Sequence, residues 1–402
     1  MLHPHWRMAA LGLSLLSLSS NSACSAAEHH DPFETKLGAP PRAHVEPPII
    51  VEPGPGVREN GEIAFAVHWF EGSLDEALAM ADAQGKLVFV DVGAYWCPPC
   101  HELDEKVFTD ERVATWLREH AIALHVDAEK GEGPELVDRY RVQAYPTLLV
   151  LEASGVEKDR IVDFHPSEAL IEMLAAIAEG GNVLARLAAA VEAAPDDLEA
   201  RFELGHAYAL AAKRELAEAE FARVMAGDPD NAKRLASKVL ADRATFFVYK
   251  LDRDPDATIA ALEQLQREFP TSKEAIAAYR TIGRAHCKQG REAEAIAALQ
   301  AMVATDLADT ALAASFGWFS FRERCGPEAG LAAVLGGIAQ APEDADLRYV
   351  EAELQRMLGE PDLALAAIQA AAALEPDNAY FKRQVRRFEA LARGEPDPIA
   401  EH

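Results

Sequence analysis

RFELGHAYALAAKRELAEAEFARVMAGDPDN, residues 201–231, aligns without gaps to RYVEAELQRMLGEPDLALAAIQAAAALEPDN, residues 348–378. No other feature limits the fold as much, because the match demands the same supersecondary unit twice. Pro229, Pro270, Pro342 and Pro376, with Leu307 in register, recur at a spacing of about 34 residues. From residue 182 to about 394, strand patterns give way to alanine-rich helical ones. A single hairpin of amphipathic helices cannot bury its apolar side, so neighbours must stack. Residues 181–394 are therefore expected to form an all-α array. The units centred on Phe246 and Trp318 are degenerate, and the last helix, with Lys382, Arg383, Arg386 and Arg387, reads as a polar cap.

The 402 residues exceed what one core usually serves. Ahead of the array the pattern differs. KLVFVDVGA (86–94), IALHVDA (122–128) and PTLLVLEASG (146–155) are apolar runs of strand length. Residues 74–83, 135–140 and 167–178 have helical spacing. That alternation implies an α/β domain over residues 61–180.

The first strand runs into YWCPPCHELDEKVF, residues 95–108. Cys97-Pro-Pro-Cys100 is the spacing of a redox dithiol, and with His101 it is also the spacing of c-type haem attachment. Haem would consume both thiols and take His101 as iron ligand. A structural zinc site would need a second CxxC, which the chain lacks. The strand before the cysteines favours the dithiol. A helix N-terminus lowers the pKa of the first thiol and raises its thiolate fraction. His101 reads as a helix-surface residue, with a minor role as a cation beside Cys97.

Trp96 before the first cysteine, Asp91 six residues earlier, and Tyr145-Pro146-Thr147 before the third strand form one constellation. With Gly85-Lys86 and Val107-Phe108, it resembles exported members of the thioredoxin family. The resemblance implies Cys97 as nucleophile and Cys100 as resolving thiol. It makes Asp91 a buried proton acceptor and Pro146 a cis-proline beside the dithiol. Trp96, Tyr145 and Thr147 would bind substrate. No cofactor is implied beyond the redox-active Cys97–Cys100 disulfide, and no metal. The array resembles tetratricopeptide repeats through Leu204, Gly205, Tyr208, Ala217, Phe221 and Pro229. The expected fold is an α/β thioredoxin-like domain followed by an all-α tetratricopeptide-like solenoid of helical hairpins.

The N-terminus reads as an export signal over residues 1–27, with Cys24 as a lipidation candidate. Proline-rich residues 28–60 read as a tether, and 395–402 as a tail. Periplasmic placement, free or lipid-anchored, follows from that reading. The formal charge of −27 argues against nucleic acid as a partner. Protein clients with thiols or disulfides, and a redox partner at the membrane, are the expected partners. Cys287 and Cys325, near the ends of first helices in adjacent repeats, could pair or be buried small apolar residues, and buried free thiols are the favoured expectation. The competing reading is a binding adaptor whose repeats carry the function. The repeats show no charge cluster assignable to a ligand.

Overall fold

The computed structural model describes residues 56–397. The export signal, Cys24, most of the tether and the end of the tail lie outside the described residues.

A mixed four-stranded sheet organises the first part. Its strands are β1 (Leu87–Gly93), β2 (Ala121–Asp127), β3 (Thr147–Leu151) and β4 (Glu157–Val162). Their order is β2-β1-β3-β4. β1 pairs parallel to β2 and antiparallel to β3, and β3 pairs antiparallel to β4. β1 is central and carries helices on both faces, which is why it reads as a continuous apolar run. Val88, Val90 and Val92 pack into one core with Leu74, Ala77 and Leu78 of α1 (Leu74–Gln84). Phe89 packs into the other, with Leu103, Phe108, Leu117 and Leu170. Each such side chain contributes about 1.5–3 kcal/mol by leaving water. α1 starts at a capping box between Ser73 and Glu76 and stops at left-handed Gly85. β4, EKDRIV, lacks an apolar run, and its edge position explains why it was not foreseen.

α2 (Pro98–Glu102) follows β1 and widens into a π-turn over Leu103–Val107. α3 (Glu111–His120), α4 (Gly133–Arg139) and α5 (Ser167–Ala178) complete the domain. The array then runs from Val183 to Ala392 entirely as helices. Its hairpins pack tightly at small residues. A Cβ at Gly205 would lie 2.7 Å from the Phe221 ring, and one at Gly317 2.3 Å from Val334. Asp197, Ser272, Asp309 and Asp344 each cap the first helix of a hairpin by accepting a backbone N–H, and Asn378 caps the last helix in the same way. The Trp318 unit is a regular hairpin, whereas the Phe246 unit ends in a π-helix over Arg243–Leu251. Among the described residues no single helix is long and apolar enough to cross a membrane.

Two expectations are corrected. Cys287 and Cys325 form a disulfide, with Cα atoms 6.3 Å apart. Stacking brings the ends of two adjacent first helices together, which spacing alone could not show. The last helix, Ala379–Ala392, is not a free polar cap. Arg387 is buried between Glu353, at 2.5 Å, and Asp397, at 2.7 Å. Arg383 leaves the array, donating to the Gly61 carbonyl at 2.7 Å and pairing with Glu105 of the α/β domain at 2.5 Å. Arg386 donates to the Asn60 carbonyl, so residues 60 and 61 rest on this helix.

Candidate active site

Cys97 is the N-cap of α2, delivered there by β1, and it is bonded to Cys100 one turn later. Pro98 and Pro99 occupy the first two helical positions. Their preset φ suits a helix start, but they remove two amide donors that would otherwise surround the Cys97 sulfur. The N–H groups of Cys100 and His101 both donate to the Cys97 carbonyl. Gly93 lets the pair lie against β1, since a Cβ there would sit 3.3 Å from the Cys100 sulfur. The cysteines pack with Ala94, Trp96 and Tyr145. The Tyr145–Pro146 bond is cis. Thr147 is buried and donates to the Ala144 carbonyl, tying down the loop before β3. Trp96 donates from Nε1 to Glu129 at 3.0 Å, and burial pushes the Tyr145 phenol up to about 12.

Asp91 lies on β1 two residues before Gly93, on the same side of the sheet. It is 3 % exposed. Its Oδ2 accepts from His125 Nδ1 at 3.1 Å, and its Oδ1 has no hydrogen-bond partner. His125 stands directly opposite on β2. Asp104, from the π-turn, lies 3.9 Å from the same imidazole nitrogen. Burial works against the imidazolium, but the hydrogen bond and charge of Asp91, helped by Asp104 and Asp127, hold His125 up at about 9. Burial pushes the Asp104 carboxyl up to about 7, against the pull of His125. The two carboxylates and the imidazole could also hold a metal ion, their ligand atoms lying within 4.8 Å of one another.

Sequence reasoning missed Asp104 and His125. A signal existed for His125, a lone polar residue inside the apolar run IALHVDA. Asp104 gave none, because it falls in an acidic helical stretch. His101 is a correction. It is half-buried, its ring lies 4.3 Å from that of Tyr380, and its Nε2 is buried without a hydrogen-bond partner. Burial, then the Arg383 charge, push it down to about 3, so it is neutral at pH 7 and supplies no cation to Cys97.

The array touches the α/β domain along its length. Arg160 donates to the Leu210 carbonyl at 3.1 Å, Asp138 pairs with Arg253, and Tyr95 meets Phe321 edge-on. The Arg322 guanidinium lies 3.6 Å over the Trp96 ring. Phe321, Arg322 and Tyr380 thus cover Tyr95, Trp96 and His101, the residues on either side of the cysteines, and Cys97 is 2 % exposed.

A thioredoxin-like family model matches residues 69–153. The thiol:disulfide interchange protein DsbD of Pseudomonas sp. (strain JR1 / K1) is 34% identical over 96 residues, 24% of this chain and 17% of that protein. The chain thus spans about a sixth of the curated relatives it matches. A provisional disulphide-isomerase from Bacteroides thetaiotaomicron is 39% identical, covering 29% of this chain and 98% of that one, with a TM-score of 0.27. YrrB, a TPR protein, is 17% identical, covering 50% of this chain and 97% of that one, with a TM-score of 0.31. The chain joins a thioredoxin-like domain to an array of tetratricopeptide-like helical repeats.

Proposed function

We propose that the protein is an exported thiol–disulfide oxidoreductase, acting on client disulfides through Cys97 and Cys100. The observation that carries this is the bonded pair at the β1–α2 junction, packed with Trp96 and Tyr145 beside the cis bond. In the reduced protein, the Cys97 thiolate attacks one sulfur of the client disulfide. A mixed disulfide forms and the other client sulfur leaves as thiolate. Cys100 then loses its proton and attacks Cys97, releasing the second client thiolate. The client gains two electrons, and the dithiol becomes the disulfide. A dithiol donor restores it, and an oxidising partner would run the steps in reverse.

Asp91 is the proton acceptor for Cys100 in this reading. His125 and Asp104 are its nearest polar neighbours, His125 donating to it at 3.1 Å. The array serves as the surface that admits or holds the client, since Phe321, Arg322 and Tyr380 stand over the dithiol segment. Placement in the periplasm rests on the N-terminal reading and on the interchange protein among the relatives.

The test is exchange with a model disulfide, with dithiothreitol as donor. Cys97→Ser should abolish turnover, and Cys100→Ser should accumulate a mixed disulfide visible by intact mass. Full turnover in Cys97→Ser removes the oxidoreductase reading and leaves the adaptor.

A further inference from the structure

The chain carries a formal charge of −27, yet one face of the array beside the dithiol is cationic. Three helices supply it. Lys250 comes from Arg243–Leu251, Arg284 and Lys288 from Lys273–Lys288, and Arg322 from Thr310–Glu323. Arg284 pairs with Glu323 at 2.6 Å. The Lys288 ammonium lies 4.7 Å over the ring of Tyr249, whose hydroxyl is buried without a hydrogen-bond partner. Arg322 stacks on Trp96, the residue before Cys97, and its Nε is likewise buried and unpartnered.

The cations repel one another. Burial, with the charges of Arg284, Arg322 and Lys288, pushes Lys250 down to about 7, and burial, then Arg284, pushes Arg322 down to about 10. An arrangement of like charges with an orphaned hydroxyl donor is relieved by an anion. Glu323 answers Arg284, and Glu129, which Trp96 already engages, is the other carboxylate in this field.

We propose that this cluster is an anion-binding subsite of the dithiol site, and that the disulfides exchanged there are flanked by carboxylates. The inference rests on the oxidoreductase reading and names its substrate class. Lys250, Arg284 and the Tyr249 hydroxyl hold the carboxylates while the neighbouring sulfur reaches Cys97. The cover over the residues beside Cys97 makes entry selective, because a disulfide arriving there passes Trp96 and Arg322. Carboxylates of this kind come from an acidic peptide segment or from a small molecule such as oxidised glutathione.

The experiment uses the full chain and three disulfides: a disulfide-linked cysteine peptide flanked by aspartates, the same peptide flanked by lysines, and oxidised glutathione. The acidic peptide should exceed the basic one in kcat/KM by about tenfold or more, as charge-assisted contacts imply. The ratio should fall severalfold in Lys250→Gln/Arg284→Gln. It should also fall in the wild type as salt rises from about 0.05 to about 0.5 M. The salt series needs no variant, so it stands if the variant fails to fold. The ranking of acidic peptide against oxidised glutathione assigns the source, and either order supports the subsite. A ratio near one, or one indifferent to salt, overturns it. Calorimetry with S-methylglutathione, which cannot exchange, separates this from the parent reading. Binding without exchange of any disulfide overturns the oxidoreductase reading and keeps the anion subsite, whereas exchange without charge preference does the reverse.

Discussion

At the scale of single residues, the dithiol stands near a titratable trio in which Asp91 is buried, Asp104 half-buried and His125 exposed. His125, held at about 9, is cationic at pH 7 beside Asp91. Its folded pKa lies above its ordinary value, so its stabilising effect is complete below about pH 6.5 and is lost as pH rises through about 9. His125→Ala should therefore melt below the wild type at pH 6, with the gap closing by pH 10, and it should shift the alkaline limb of the exchange rate. His101 runs the other way. Its folded pKa of about 3 lies below its ordinary value, so stability falls as pH drops from about 6.5 towards 3. His101→Phe keeps the ring contact with Tyr380 and should lose much of that acid sensitivity in melting scans. The dithiol was legible from sequence because its chemistry is fixed by spacing along one segment. His125 and Asp104 join Asp91 only when β2 and the π-turn close on β1, so the polar break that His125 makes in its strand did not name its partner, and the acidic stretch around Asp104 hid it.

At the scale of elements, the array is held by repeated small devices and two strong ones. The Cys287–Cys325 bridge closes a loop of sequence separation 38. Chain-entropy arguments give such a bridge about 3–4 kcal/mol. Cys287→Ser should lower the urea midpoint accordingly, while leaving the Cys97–Cys100 pair able to cycle. The second device is buried: Glu353 accepts from Tyr349 at 3.1 Å and pairs with Arg387, and Tyr349 in turn shares a hydrogen bond with Tyr380 at 2.6 Å. Glu353→Ala leaves Arg387 paired with Asp397 but takes away its second carboxylate and the acceptor of the Tyr349 hydroxyl, and should cost about 1–3 kcal/mol in equilibrium unfolding. The hairpin pattern was readable because each helix carries its own period and its own cap. β4 was not, because an edge strand can be built from charged residues.

At the scale of the whole molecule, the array is not a free appendage. Its last helix holds Gly61 and Glu105 through Arg383, and Tyr380 covers His101. The dithiol is consequently shielded in a way that the α/β domain alone would not provide. Tyr380→Ala/Arg383→Ala should speed reduction of the Cys97–Cys100 disulfide by dithiothreitol severalfold, followed by thiol titration. An unchanged rate would mean that the covering contacts do not limit access.

By itself the sequence determined two architectures and one cysteine pair: the α/β domain, the stacked hairpins and Cys97–Cys100. These follow from local periodicity and local spacing, which survive in any one segment. Only the tertiary structure decided that Cys287 meets Cys325, that His125 and Asp104 answer Asp91, and that Lys250, Arg284 and Arg322 share one face. It also turned a helix read as a polar cap into the clamp over the dithiol. In each case the partners lie far apart in the chain, and their interaction falls off within a few ångströms. The chain order is silent about them until packing brings them together.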